Sequence, residues 1–386
     1  MWKLQENALD KKDLISLSKY ILKAPKLTQG VEVKTFEKKF SNWNNSKYSI
    51  LVNSGSSANL IMIYTAKEYY KWNNLDEIIV PSLTWPTTVN PVIQAGLKPI
   101  FIDTNFQDLS LDYNELKKKI NKKTKAIFLA HILGFPSNIK KIKKIIGKKN
   151  IKIFEDCCES IGAKINKKKV GNFGVAGSFS FYWGHHISTI EGGMITTNDK
   201  KFYDLCKMKR SHGFARELDI KDQKYIKNKY KEADFNFLFL TDGFNLRSTN
   251  LNAFLGIRQL SKLNKFIKIR NNNFTLFNSL IKKYQEHFYI INHKNLKNIS
   301  SFSLPLIFKN KSKLLKAKNL FIKNRIEYRP IISGDLTKQP YLKKYRNKKN
   351  YYSNIINSKG IYLGNNQFVN FKNFKLLNKI FSKVFC

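Results

Sequence analysis

A short stretch of the chain combines residue types that can transfer protons. Residues 180–193 read SFYWGHHISTIEGG, with a serine, a histidine pair and a glutamate followed by two glycines. Histidine changes its charge near pH ~6.5, so His185 or His186 could serve as a general base and acid. The alternative is a buried histidine pair with a purely structural role. The stretch is therefore a candidate catalytic segment.

A second segment has the composition of an anion-binding site. The apolar run YSILV at 48–52 predicts a buried strand, and it leads directly into NSGSSANL at 53–60 and an apolar helix. Free backbone N–H groups, serine hydroxyls and the helix dipole at such a junction favour a phosphate. The alternative is that the serine before the helix only caps it.

The elements that must position these segments alternate along the chain. Strands are predicted at 76–81, 98–103, 126–131 and 151–156, with helices at 86–96, 113–120 and 137–146. This alternation predicts an α/β protein with a mostly parallel sheet covered by helices on both faces. Sites in such sheets lie at the carboxyl ends of the strands. The residues at those ends are Ser54–Ser57, Thr84–Trp85, His131 and Asp156.

The pattern changes in the second half of the chain. Residues 217–235 are polar and lysine-rich, which predicts an exposed excursion, and a long amphipathic helix is predicted within 243–284. From about residue 285 the pattern returns to strands and short helices. We therefore predict a large domain over 1–250, followed by a linking helix and a small C-terminal α/β domain over 251–386.

Composition restricts the class of protein. The 386 residues are 42% hydrophobic, which supports a sizeable core. No run approaches the ~20 apolar residues that span a bilayer, and the first residues lack an apolar signal core, so we expect a cytoplasmic protein with no membrane partner. The four cysteines, Cys157, Cys158, Cys206 and Cys386, form no C-x-x-C motif. We therefore expect neither a metal site nor a disulfide framework.

The net charge of +43 has two interpretations. Dense lysine attracts phosphates, so one interpretation is nucleic-acid binding. However, lysine recurs in nearly every predicted helix and loop, and no nucleic-acid motif is visible. We interpret the charge as general lysine enrichment, which attracts anionic substrates, and expect no nucleic-acid partner.

Motifs spread over nearly the whole chain carry a family resemblance. They are NSGSSANL at 53–60, VPSLTWPTTV at 80–89, EDCCESIGA at 155–163, the segment 180–193, RSHGFAR at 210–216, GFNLR at 243–247 and YRPIISGDL at 328–336. In this order they resemble the DegT/DnrJ/EryC1/StrS family, and within it the nucleotide-sugar 3-dehydratases. The resemblance implies a fold type I aminotransferase-like architecture and a homodimer with shared active sites.

The resemblance also implies which residues bind the cofactor, pyridoxal 5'-phosphate or pyridoxamine 5'-phosphate. Gly55, Ser56 and Ser180 match positions that bind its phosphate. Trp85 matches the aromatic residue that stacks on the pyridine ring. Asp156 matches the carboxylate that pairs with the pyridine nitrogen and makes the ring an electron sink.

Further positions follow from the same resemblance. Asn245 matches a residue that reaches the cofactor phosphate from the neighbouring subunit, and Glu159 matches the dehydratase version of a position that is Gln or His in aminotransferases. His212, in RSHG, matches a family position near the active site and is a candidate for a substrate or cofactor contact. Arg216 and Arg329 are candidates for binding a diphosphate or the carboxylate of glutamate, because arginine suits bidentate anion binding. The alternative for the two arginines is a surface salt bridge.

His185 departs from the aminotransferase pattern. It matches the lysine that attaches the cofactor covalently in those enzymes, and residues 170–199 contain no lysine. His186 is the alternative at this position, but counting five residues on from Ser180 favours His185. Since histidine cannot form a Schiff base, the resemblance implies a non-covalently bound cofactor.

The implied activity is that of a lyase. His185 would take a proton from pyridoxamine phosphate and assist departure of the C3 hydroxyl from a nucleotide-linked 4-keto-6-deoxyhexose. The expected substrate is GDP-4-keto-6-deoxymannose, and L-glutamate would regenerate pyridoxamine phosphate. Such a dehydratase belongs to deoxysugar and lipopolysaccharide biosynthesis. The alternatives are a nucleotide-sugar 4-aminotransferase and a non-catalytic binding protein.

Overall fold

Strands alternate with helices through the first half of the chain in the computed structural model, which describes residues 1–23, 26–291, 298–346 and 350–385. Within these ranges the strands are β1 (Tyr48–Val52), β2 (Glu77–Pro81), β3 (Lys98–Ile102), β4 (Thr124–Ala130), β5 (Lys152–Asp156), β6 (Lys164–Ile165), β7 (Lys168–Lys169), β8 (Ala176–Ser180), β9 (Gly193–Thr197), β10 (Ser303–Ile307), β11 (Tyr328–Pro330) and β12 (Gly360–Gly364). The α-helices are α1 (Lys11–Lys23), α2 (Val31–Asn44), α3 (Gly55–Tyr69), α4 (Pro86–Gln94), α5 (Tyr113–Lys119), α6 (Ile139–Ile146), α7 (Lys200–Arg210), α8 (Ile220–Lys229), α9 (Asn250–Lys282), α10 (Lys311–Lys323), α11 (Tyr351–Lys359) and α12 (Phe371–Phe385).

One large sheet forms the first part of the molecule. Its strand order is β1-β9-β8-β5-β4-β2-β3. The strands from β8 to β3 pair in parallel, while β9 runs antiparallel to both β1 and β8. Every residue of β2, β8 and β9 is buried, as expected for a sheet that is covered on both faces. The predicted mostly parallel α/β architecture is confirmed.

Local sequence determines where the helices around this sheet begin. The side chains of Ser54, Asp112 and Asp199 accept hydrogen bonds from backbone N–H groups in the first turns of α3, α5 and α7. Pro86 opens α4, where its missing N–H removes no helical hydrogen bond. These residues satisfy or avoid the donors that a helix start leaves unpaired, so the predicted helix starts lie close to the observed ones.

The C-terminal part of the chain forms a second, antiparallel sheet. Its order is β10-β12-β11, and the long helix α9 runs from α2, beside the large sheet, to this second sheet and α12. Trp2 is buried in the core of the second sheet, and its Nε1 donates a hydrogen bond to the carbonyl oxygen of Gly364 at 2.9 Å. The N-terminal segment therefore packs on the C-terminal part of the chain. The domain division at residue 250 stays a prediction.

The elements absent from the sequence-based expectations include the hairpin of β6 and β7 and the helix α8. β6 and β7 form a hairpin whose turn residues, Asn166 and Lys167, both have positive φ. The exposed excursion at 217–235 contains α8, which buries none of its residues. Periodicity fails in both cases because a two-residue strand and a helix without an apolar face carry little hydrophobic signal.

Two further expectations concern membrane insertion and cysteines. None of the helices in the described ranges combines the length and the apolarity that a bilayer span requires. Cys157, Cys158 and Cys206 are free thiols, and Cys386 lies outside the described residues.

Candidate active site

A cavity of about 510 Å³ opens at the carboxyl ends of the parallel strands, and residues of the C-terminal sheet close its other side. This is the edge at which parallel sheets place their sites. Eight of the eleven residues to which a binding or catalytic role was assigned line it, namely Gly55, Ser56, Trp85, Asp156, Glu159, Ser180, His185 and Arg329. Residues as far apart in the chain as Gly55 and Arg329 thus share one cavity.

The start of α3 forms one wall of the cavity. The hydroxyl oxygen of Ser54 accepts a hydrogen bond from the N–H of Ser57 at 3.0 Å, and Gly55 and Ser56 are the first helical residues. A Cβ atom on Gly55 would lie 2.7 Å from the Cβ of Ser180, so only glycine allows α3 and the end of β8 to approach this closely. The Ser180 side chain and the N-terminus of α3 therefore meet at one point of the cavity, which Ser56 also lines, and this arrangement suits a phosphate.

Asp156 is held by a buried polar network at the end of β5. Its Oδ2 accepts hydrogen bonds from Asn59 Nδ2 and Thr88 Oγ1, both at 2.8 Å, and its Oδ1 accepts one from the N–H of Cys158 at 3.1 Å. The hydroxyl of Ser178 donates to Asn59 Oδ1 at 2.5 Å and so fixes the orientation of the amide. These bonds present the Asp156 carboxylate to the cavity in one orientation.

His185 lies in the same cavity without a partner for one ring nitrogen. Its Nδ1 is buried and has no hydrogen bond among the described residues. Burial lowers the pKa of His185 to about 4. A hydrogen bond with the backbone of Cys158 and the charge of Asp156 oppose this shift, whereas the charge of Arg270 adds to it. Arg270 Nη2 also donates to the carbonyl oxygen of His185 at 3.3 Å. The ring is therefore neutral at neutral pH and able to accept a proton.

His186, the alternative at this position, points elsewhere. Its Nε2 lies 3.0 Å from the hydroxyl oxygen of Ser300 and 3.2 Å from the carbonyl oxygen of the same residue. Its side chain is fully buried and does not line the cavity. The geometry supports His185 over His186 as the residue that meets a ligand.

Glu159 has the opposite electrostatic behaviour. Burial raises the pKa of Glu159 to about 8. A hydrogen bond from the N–H of Leu133 at 2.9 Å opposes this shift, and the negative charge of Asp156 adds to it. The carboxyl group is therefore mostly protonated at neutral pH and can donate a hydrogen bond into the cavity.

His131 also reaches the cavity wall, but its ring is fully engaged. The N–H of Ser137 donates to Nδ1 at 3.0 Å, and Nε2 lies 3.1 Å from Glu155 Oε2. Glu155 in turn accepts the N–H groups of Gly171 and Gly174 at 2.9 and 2.8 Å. Although His131, Glu155 and Cys157 lie close enough to hold a metal ion, these bonds already occupy the imidazole and the carboxylate. The arrangement supports a structural role for His131.

Three predicted residues lie outside the cavity lining. The Oδ1 of Asn245 accepts a hydrogen bond from Arg247 Nε at 3.1 Å, and the backbone N–H of His212 donates to the carbonyl oxygen of Phe244 at 2.8 Å. The guanidinium of Arg216 stacks over the Phe214 ring at 3.8 Å. Within a single chain, Asn245, His212 and Arg216 therefore do not line the cavity that holds the other eight candidate residues. Their roles stay predictions.

Sequence reasoning missed several residues of the cavity and its support. Gln5, Phe302 and Tyr362 line it, and Arg270 on α9 donates a hydrogen bond to the backbone of the candidate catalytic segment. Thr88 lies within a motif that carried the family resemblance, so its role could have been suspected. Tyr362 lies in GIYLGNNQ at 360–367, a segment that also resembles the family. Gln5, Phe302 and Arg270 occupy chain segments in which no local pattern points to a site.

The comparisons with known proteins identify the family. The model of the DegT/DnrJ/EryC1/StrS aminotransferase family matches residues 9–364. The chain belongs to this family. GDP-4-keto-6-deoxy-D-mannose 3-dehydratase of Yersinia pseudotuberculosis is 36% identical over 378 residues, which cover 94% of each chain.

Two solved structures of proteins with the same enzyme name are also similar. One is GDP-4-keto-6-deoxymannose-3-dehydratase with a trapped PLP-glutamate geminal diamine, with a TM-score of 0.89 and 31% identity, covering 98% of this chain and 100% of that chain. The other is a variant with bound GDP-perosamine, with a TM-score of 0.88 and 32% identity over 98% of this chain and 100% of that chain. The expected family and the fold type I aminotransferase-like architecture are confirmed.

Proposed function

We propose that this protein is a pyridoxal-phosphate-dependent dehydratase that removes the C3 hydroxyl of a nucleotide-linked 4-keto-6-deoxyhexose, with GDP-4-keto-6-deoxymannose as its substrate. The observation that carries the proposal is the cavity itself. A histidine stands at the position of the cofactor-attaching lysine, and no lysine lies among the described residues that line the cavity. The names of the relatives, which include PLP, glutamate and a GDP-linked sugar, support it.

The cavity fits the cofactor. The close approach of Gly55 to Ser180 creates a cradle of serine hydroxyls and helix N–H groups for the phosphate. Asp156, oriented by its network, would pair with the pyridine nitrogen, and Trp85, whose side chain is 55% exposed, offers a flat face to the ring. When bound, the cofactor supplies an amino group and an electron sink.

His185 would move the proton in the elimination. Its neutral ring accepts a proton at the reacting centre, and the resulting imidazolium can return that proton to the oxygen of the departing C3 hydroxyl. A histidine that is not covalently engaged is free to do both.

Glu159 and Arg329 would assist binding. Glu159, protonated at neutral pH, donates a hydrogen bond, as the Gln or His of the aminotransferases would at this position. Arg329 brings an exposed guanidinium to the cavity from β11, which suits the carboxylate of glutamate or the diphosphate of the nucleotide.

We also propose a homodimer in which Asn245 of the partner subunit reaches the cofactor phosphate. Asn245 lies outside the cavity of its own chain, and the candidate catalytic segment exposes Tyr182, Trp183 and Ile190. Exposed apolar side chains grouped beside a site are typical of an interface. The expected cytoplasmic location stays a prediction.

Product mass tests the proposed function. The purified protein is incubated with PLP, L-glutamate and GDP-4-keto-6-deoxymannose. Dehydration yields a sugar that has lost one oxygen atom, with ammonia and 2-oxoglutarate formed in equal amounts. A product that keeps this oxygen and gains an amino group, with no ammonia released, contradicts the proposal and supports the aminotransferase.

A further inference from the structure

The N-terminal segment crosses from the C-terminal sheet to the mouth of the cavity. The Trp2 indole donates to the carbonyl oxygen of Gly364, and the N–H of Leu4 donates to Glu327 Oε2, both at 2.9 Å. The backbone of Trp2 also exchanges hydrogen bonds with Arg325 and Glu327, at 2.8 and 2.9 Å. The segment is therefore fixed just before it delivers Gln5 to the cavity.

The side-chain amide of Gln5 lies directly against the catalytic segment. A Cβ atom on Gly184 would overlap this amide, and the three atoms nearest to such a Cβ all belong to Gln5. Gly184 directly precedes His185. Its φ lies outside the left-handed region, so the backbone conformation does not require glycine there. The missing side chain instead leaves room for the Gln5 amide. Gln5 thus lies beside the residue that is proposed to transfer the proton.

This amide has no hydrogen-bond partner among the described residues, although its side chain lines the cavity. It is also the only carboxamide among the described residues of the lining. A carboxamide both donates and accepts hydrogen bonds and carries no charge, which matches a sugar hydroxyl. Carboxylates and phosphates are better bound by cations, which here come from Arg329.

We propose that Gln5 binds a hydroxyl group of the hexose ring and holds that ring beside His185. The inference rests on the proposed function, because it assigns the sugar to the cavity. The proximity of Gln5 to His185 assigns its amide to the reacting hexose rather than to the nucleotide. Gln5 then helps to determine the specificity for the sugar, although it lies in the N-terminal segment, before all the motifs that carry the family resemblance.

The test compares two half-reactions in Gln5→Ala and Gln5→Glu. Both variants should raise the KM for GDP-4-keto-6-deoxymannose, and the Kd of GDP-perosamine measured by calorimetry, by about tenfold for the alanine. The reaction with glutamate alone, followed by 2-oxoglutarate release, should keep its KM because it involves no hexose. Gln367→Ala is the matched control. Gln367 donates to Asn7 of the same segment and does not line the cavity, so its loss reports any general loosening.

A double-mutant cycle adds a geometric test. Gly184→Ala should displace the Gln5 amide and weaken GDP-perosamine binding, and it should have little further effect in the Gln5→Ala background. If the unchanged protein dehydrates the sugar but binds GDP-perosamine with the same Kd as Gln5→Ala, the proposed role of Gln5 is wrong and the proposed function stands. Absence of dehydration by the unchanged protein overturns the proposed function instead.

Discussion

At the scale of single residues, one cavity shifts two titrating groups in opposite directions. Burial disfavours whichever form is charged, so it lowers the pKa of His185 to about 4 and raises that of Glu159 to about 8. At neutral pH the first is a free base and the second a hydrogen-bond donor. A pair of groups whose pKa values are pushed apart is typical of acid–base chemistry.

Replacing His185 tests the proton transfer. His185→Asn should lower dehydration at least about 100-fold, because asparagine cannot shuttle a proton. Binding of the cofactor, measured by its absorbance, should change little, since phosphate and ring contacts remain. His287→Asn is the control, because the same change is made outside the cavity, where the ring stacks on Phe385 and its Nε2 lies 3.2 Å from Glu286 Oε1. Full activity in His185→Asn would exclude the proposed role.

The carboxyl group of Glu159 predicts a pH dependence of stability. Its pKa is raised from 4.5 to about 8 on folding, so its stabilising contribution is fully present below pH 4.5 and is lost as the pH rises through about 8. His185, whose pKa is lowered from 6.5, has no effect above pH 6.5 because its ring is neutral in both states.

The cofactor-free protein should therefore lose stability between pH 6.5 and 8 relative to Glu159→Gln, by up to about 1.4 kcal/mol per pH unit. Thermal unfolding of both proteins across this range measures the difference. Parallel pH profiles for the two proteins would show that Glu159 is ionised in the folded state.

At the scale of elements, the site depends on how closely α3 approaches the end of β8. The strand-turn-helix pattern predicts an anion site there, and the structure shows why position 55 is a glycine. Gly55 faces Ser180 across a gap that leaves no room for a Cβ atom. The second hydroxyl of the cradle is thus supplied by a strand more than a hundred residues further along the chain.

Gly55→Ala tests this contact. The added methyl group should push α3 away from Ser180 and weaken PLP binding about tenfold or more. The affinity is measured by titrating the cofactor-free protein and following PLP absorbance. Far-UV circular dichroism should stay unchanged, because alanine is a better helix former than glycine. Unchanged PLP affinity would show that the close approach has no part in binding the phosphate.

At the scale of the whole molecule, distant parts of the chain complete the cavity. The N-terminal segment and the C-terminal sheet bring Gln5, Arg329 and Tyr362 to the edge of the large sheet. Asn245 stays outside the cavity of its own chain, as a residue that acts on a partner would. The charge of +43 belongs to this scale too, because a strongly positive field favours the approach of an anionic nucleotide sugar.

Mixed dimers test whether the active sites are shared. His185→Asn and Asn245→Ala should each be impaired as homodimers. A heterodimer of the two, isolated with separate tags, contains one intact site and should regain about half of the unmodified activity. No recovery would place each complete site within a single chain.

The sequence by itself determined the local features of this protein. Apolar alternation predicted most strands and helices of the large sheet, since burial on both faces leaves a strong hydrophobic signal. The motifs indicated the family, and the histidine at position 185 indicated a cofactor without a covalent attachment. Short or polar elements such as β6 and α8 left no such signal.

Only the tertiary structure decided which of these residues meet and how they behave. The spacing from Ser180 favoured His185 over His186, and the structure shows that His185 lines the cavity whereas His186 bonds to Ser300. Gln5 carries no motif and reaches the site because its segment is fixed to the C-terminal sheet. The physical reason is that periodicity and capping act between near neighbours. Burial, pKa shifts and site membership depend on long-range packing instead.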